Sequence, residues 1–122
     1  MNAVMLSRDL MLQSRAEGAA LKVGLTLRNA IDVAVALETV CDQACRGIVI
    51  DLRFPQLDVG SLVSQLRSAR ADEFFIVACG PHVHETSLNA AREAGCDLVA
   101  TRGQFDRDAE EILRRFASVD EA

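Results

Sequence analysis

Five short apolar runs, each followed by a longer amphipathic stretch, divide the chain almost from end to end. The runs at 3–6, 23–27, 47–51, 74–79 and 97–101 have strand length and composition, and the stretches after them carry apolar residues at helical spacing. After the first run, Leu12, Ala16, Ala19 and Ala20 share one helical face; after the second, Val33, Leu37, Val40, Cys41 and Ala44 do the same. Asn29 is placed to N-cap the second helix and Asp58 the third, whose inward stripe is Leu62, Val63 and Leu66. A fourth helix through Leu88 and Ala91 should end at Gly95. Asp106, Asp108, Glu110 and Glu111 crowd the expected start of a fifth, with Arg114 and Arg115 toward its end, an order that suits the helix dipole.

Strands that alternate with helices pair in parallel through right-handed crossovers. When both faces of such a sheet are covered, its strands become continuous apolar runs, as Ile48 to Ile50 and Phe74 to Ala78 are. The expected architecture is therefore α/β, one doubly wound (βα)5 sheet over residues 1–122, with a short polar tail at about 118–122. Composition agrees with a single packed domain: half the 122 residues are hydrophobic, and only seven are Gly and two Pro. A net charge of −5 and 4% aromatic residues supply neither the cationic face nor the stacking platform that nucleic acids need. No apolar stretch is long enough to span a membrane, and Arg8 and Asp9 interrupt the N-terminal run too early for a signal peptide, so a cytoplasmic protein is expected. Cys41, Cys45, Cys79 and Cys96 have neither paired zinc-site spacing nor the pattern of a stapled secreted domain, and read as reduced, mostly buried thiols.

Ligands of doubly wound sheets bind outside the carboxyl ends of the strands. That rule singles out Ser7, Arg8 and Asp9 after the first strand, Asp51 after the third, Cys79 and Gly80 after the fourth, and Arg102 after the fifth; Arg53 and Ala78, beside them in the chain, are counted with the expected crevice. The segment GIVIDLRFPQLD at 47–58 resembles the third strand and following loop of response-regulator receiver (CheY-like) domains, where an apolar strand ends in the phospho-accepting Asp and a Pro follows four residues later. Asp51 and Pro55 match that spacing. AREAGCDLVATR at 91–102 is similar to the family's fourth-helix end, Ala-Gly turn and fifth strand, so the resemblance covers essentially the whole chain. It implies a flavodoxin/CheY-like sheet of order 2-1-3-4-5, with Asp51 as phospho-acceptor candidate.

The rest of the family's site is altered. Two acidic residues that end the first strand and hold Mg²⁺ fall on Ser7 and Arg8, leaving Asp9 and Asp51 as weak candidate ligands. The phosphoryl-pairing Lys matches Arg102, with Gly103 where the family usually has Pro. The switching hydroxyl matches Ala78, or Cys79 with a slip of one, and the switching aromatic matches Val99. The resemblance thus implies a divergent or pseudo-receiver that signals by protein contact, with weak or absent phosphorylation, no cofactor, and output through another molecule. Receivers commonly pair through the face of helix four, strand five and helix five, which here carries Asn89, Arg92 and Glu93, so a homodimer or a docked protein is expected there.

Three further readings follow from the residues. Arg8, Arg53 and Arg102 should surround Asp51 and hold its carboxylate in a salt-bridge lock, the alternative being a solvated strand cap. His82 and His84, with Cys79, Cys96 or Glu85, have metal-ligand chemistry, but exposed loop residues after a Gly-Pro turn are the simpler expectation. No phosphate-cradling glycine loop, nucleophile elbow or Cys/His pair marks an enzyme. The alternative function is a small-molecule or anion-binding domain that uses Arg8 and Arg102 in the crevice.

Overall fold

The computed structural model describes residues 1–117; the tail expected at 118–122 lies outside the described residues. In chain order the elements are β1 (Asn2–Leu6), α1 (Leu10–Lys22), β2 (Thr26–Ala30), α2 (Val33–Thr39), β3 (Cys45–Asp51), α3 (Val59–Ala69), β4 (Phe75–Gly80), α4 (Glu85–Ala94), β5 (Leu98–Thr101) and α5 (Arg102–Ala117). The strands form one sheet in the order β2-β1-β3-β4-β5, and every pairing is parallel. This is the doubly wound sheet and the strand order expected.

Side-chain alternation divides the core in two. Ala3 and Met5 of β1 face α1 and α5, where they meet Leu12, Ala16, Phe105, Leu113 and Phe116. Val4 and Leu6 face the opposite way, toward Ala36 of α2, Leu62 and Leu66 of α3, and Ala91 of α4. Covered on both sides, Ile48, Val49 and Ile50 of β3 have no exposure at all. The inward stripes expected for α1, α3 and α4 are the buried ones. Asp58 caps α3 by accepting from the Ser61 N–H, and Gly95, at φ 96°, ends α4 in the left-handed conformation that glycine adopts without a Cβ clash.

The second unit differs from its sequence reading. Residues 23–25 are the end of the first helix, not a strand: the Val23 and Leu25 amides donate to the Ala20 carbonyl, that of Gly24 donates to Leu21, and Gly24 turns the chain at φ 75°. The strand therefore starts three residues later, and Asn29 pairs with Met5 inside it. The α2 cap is Asp32, whose carboxylate accepts from the Val35 N–H at 2.8 Å. Because α2 stops at Thr39, Cys41 and Ala44 are exposed beyond it instead of packing inward. The fifth helix also begins early, at Arg102, so no acidic residue lies in its first turn. Its backbone leaves helical geometry at Asp108 (φ −111°, ψ 19°), and Arg15 donates to the Asp106 carbonyl, two residues before the break, at 2.6 Å. Among the described residues, no helix is long and apolar enough to cross a membrane.

Candidate functional site

Asp51 ends β3 in register with Cys79 of β4, at the carboxyl edge of the sheet. Only 3% exposed, it uses both carboxylate oxygens internally: Oδ2 accepts from the Ser7 hydroxyl at 2.7 Å and Oδ1 from the Arg53 N–H at 2.9 Å. The latter is the turn by which an Asp bonds the backbone two residues on. Ser7 is as deeply buried; its Oγ also accepts the Asp9 N–H at 3.0 Å, and its carbonyl accepts from Gln13 Nε2 and Asn29 Nδ2. The loop after β1 is thereby fixed against β2, β3 and α1.

Asp9 N-caps α1. Its Oδ1 accepts from the Met11 and Leu12 amides at 3.0 and 3.1 Å. Its Oδ2 accepts from two guanidinium groups, Arg53 at 2.5 Å and Arg102 at 2.8 Å. The Arg102 bond, seconded by the Leu12 amide, holds the Asp9 carboxyl below the usual carboxylate range. Arg102, the first residue of α5, also reaches Asp106 at 3.5 Å.

The arginine lock expected at Asp51 is thus on Asp9. The reason is direction: Asp51 turns inward to Ser7, whereas Asp9, at a helix start, projects over the sheet end where Arg53 and Arg102 arrive. Arg8 takes no part in it; it is exposed, with its guanidinium 5.1 Å from the Phe54 ring centroid. Ala78 is no crevice residue either, being fully buried in the α2–α3–α4 core, one position short of Cys79. Leu12, Asp51, Arg53, Cys79, Gly80, Pro81, His82, Arg102, Gly103 and Asp106 line a crevice of about 320 Å³. Burial first, and then the Asp51 charge, push the Cys79 thiol up to about 12. His82 stands at the mouth, whereas His84 is at the N-terminus of α4 with no side-chain capping bond. Among the described residues, no three His, Cys, Asp or Glu side chains gather as a metal site; His82 shares the crevice with Cys79.

The Mg²⁺ that the receiver resemblance implies does not fit these residues. A small divalent cation needs several oxygen ligands with free lone pairs and a negative field. Here each oxygen of Asp51 already accepts one bond inside the fold, and the Arg53 and Arg102 guanidinium groups, both on the Asp9 carboxylate, put positive charge where the cation needs a negative field.

Sequence reasoning underrated Asp9. The signal that would have found it is local: an Asp immediately before the apolar-periodic stretch of the first helix reads as an N-cap. Gln13 and Asn29, which hold the Ser7 carbonyl, leave no such signal.

No family model and no curated protein matches this sequence. Solved structures do. The receiver domain of a sensor histidine kinase from Pseudomonas aeruginosa, described with a magnesium ion coordinated in its active-site cleft, is 19% identical with a TM-score of 0.76, over 94% of this chain and 95% of that one. A CheY-like protein, TadZ, from the same organism is 21% identical with a TM-score of 0.74, over 95% and 98%. A CheY-like receiver domain from Methanospirillum hungatei is 12% identical with a TM-score of 0.78, over 98% and 96%. The chain has the fold of response-regulator receiver domains, at 12% to 21% identity to these three structures.

Proposed function

We propose that this is a signalling module with a receiver fold that works by protein–protein contact, with phosphorylation at Asp51 weak or absent. The state of Asp51 carries the reading. A phospho-acceptor must offer a carboxylate oxygen to its donor beside a bound cation; this one is 3% exposed and is bonded by the Ser7 hydroxyl and the Arg53 amide, and the neighbouring Asp9 carboxylate is held by Arg53 and Arg102. On this reading the chain is not an enzyme, needs no cofactor and works in the cytoplasm. The test is incubation with acetyl phosphate and Mg²⁺, followed by intact-mass analysis, and an amide NMR titration with beryllofluoride. We expect no phosphoryl adduct and no movement of the Asp51 and Arg102 signals. A stoichiometric adduct at Asp51, or shifts that spread from it to α4 and β5, would overturn the proposal.

The partner face belongs to the same reading. β5 is an edge strand whose Leu98 and Val99 are only half-buried, and the α4 residues Asn89, Arg92 and Glu93 lie on the adjoining helix. A homodimer through this face would show as a concentration-dependent mass in light scattering that Val99→Glu abolishes; a monomer at every concentration leaves only a different protein as occupant.

A further inference from the structure

We propose that the crevice contains an oxyanion seat made by Arg53 and Arg102 and closed by the chain's own Asp9 carboxylate, so that displacing Asp9 lets a phosphate-class oxyanion bind without any metal ion. The proposal does not depend on the interaction-module reading, because it concerns noncovalent binding alone.

Two guanidinium groups converge on one atom. Arg53 leaves the loop after β3 and Arg102 the start of α5, 49 positions apart in the chain, and both donate to Asp9 Oδ2 at 2.5 and 2.8 Å. Guanidinium forks are the side chains best matched to carboxylate and phosphate oxygens. Two of them on one oxygen make a site for an anion that is already filled. The two oxygens of Asp9 have different partners: Oδ1 holds the Met11 and Leu12 amides, and Oδ2 the two arginines. An uncharged residue that still caps α1 through one oxygen therefore withdraws the negative charge from the arginines without uncapping the helix.

The space beside the pair suits a small anion. The crevice holds about 320 Å³, and Gly80 and Gly103 line it without side chains. A Cβ at Gly103 would meet nothing within 4 Å, so open space continues past that wall. His82 adds ring nitrogens at the mouth. Against an incoming anion stand three carboxylates, Asp9, Asp51 and Asp106. Asp51 keeps its charge but gives its oxygens to Ser7 and the Arg53 amide instead of to a guanidinium group, and Asp106 holds Arg102 only at 3.5 Å. Asp9 is thus the carboxylate that competes directly for the two guanidinium groups.

Asp9→Asn removes the charge and keeps the shape, and Asn is as good an N-cap as Asp. The experiment titrates labelled wild-type and D9N protein with inorganic phosphate in EDTA at constant ionic strength, following the Arg53 and Arg102 side-chain signals and the Gly80 and Gly103 amides by NMR. D9N should bind phosphate at least about tenfold more tightly than wild type, and the double variant D9N/R102Q should lose that gain. Equal affinity in D9N and wild type, or a gain that survives in the double variant, overturns the proposal. Asp9→Ser, also a good cap, replaces D9N in both arms should D9N not fold. With EDTA present and no phosphoryl donor, a failure here leaves the phosphorylation test unaffected.

Discussion

Asp9 performs two tasks with one carboxylate, capping α1 through Oδ1 and tying Arg53 to Arg102 through Oδ2. The pH dependence of stability follows. With its carboxyl held below the usual range, chiefly by Arg102, the folded chain takes up this proton less readily than the unfolded chain. The resulting stabilisation is fully present above the ordinary Asp value of about 4 and is lost as pH falls through the lowered one. Urea denaturation of wild type and Asp9→Asn should show a stability difference that is level above about pH 5 and shrinks steadily toward pH 2; a difference constant over that range would refute the assignment. The cysteines give a second check. Burial raises Cys79 to about 12 and Cys96 to about 11, whereas Cys41 is exposed. Alkylation of the native protein at pH 8, read by peptide mass, should modify Cys41 first and leave Cys79 untouched until the chain unfolds. At this scale the sequence revealed which residues lie at the strand ends, since runs such as IVID announce their own termini. It could not reveal which carboxylate the arginines would choose. Arg53 and Asp9 are 44 positions apart, and their meeting depends on the direction each side chain leaves its loop.

Elements were legible wherever a period ran long enough to be counted. The stripes Leu12-Ala16-Ala19-Ala20 and Leu62-Val63-Leu66 repeat at helical spacing and are the buried faces of α1 and α3. Where a unit is short, neighbouring signals compete. Val23 and Leu25 look like strand residues, yet the amides of residues 23–25 complete the turns that end α1. The acidic cluster at 106–111 looks like a helix start because the backbone does break there, at Asp108, although the helix begins at Arg102. One position in the sheet depends on the absence of a side chain. A Cβ on Gly47 would strike the Phe75 carbonyl and the Phe116 ring, which itself stacks edge-on with Phe75 at 5.2 Å. Because β3 is central and flanked on both edges, neither group can retreat freely. Gly47→Ala should cost about 3 kcal/mol in denaturant unfolding, the upper end of overpacking effects; a cost below about 1 kcal/mol would mean that the close approach relaxes easily.

The two ends of the sheet are built for different ends. At the carboxyl edge stand Ser7, Asp9, Asp51, Arg53 and Arg102, with a crevice beside them. At the amino edge two arginines, Arg67 in the last turn of α3 and Arg70 just beyond it, tie loops together. Arg67 donates to the carbonyls of Phe74 and Gly95 and to Asp97, which in turn accepts the Ile76 N–H. Arg70, 5% exposed, donates to the carbonyls of Val40, Asp42 and Cys45, holds Asp72 with two bonds of 2.8 Å and lies 4.9 Å over the Phe74 ring. Removing Arg70 takes a charged donor from the buried Val40 and Cys45 carbonyls and leaves Asp42 with the Cys45 N–H, so Arg70→Ala should destabilise the chain by about 3 kcal/mol. Its distance from the crevice turns this into a test of the whole molecule. Cys45 and Asp51 begin and end β3, roughly 20 Å apart at strand rise, and no polar partner is shared between the two clusters. Effects at sites so separated add to within about 0.5 kcal/mol. Arg70→Ala combined with Asp9→Asn should therefore show the sum of the single stability changes, while the phosphate affinity of the double variant equals that of Asp9→Asn alone. A marked departure from additivity, or an affinity that follows Arg70, would mean that the loops at the amino edge and the crevice move as one unit, and the separation of supporting end from binding end would fail.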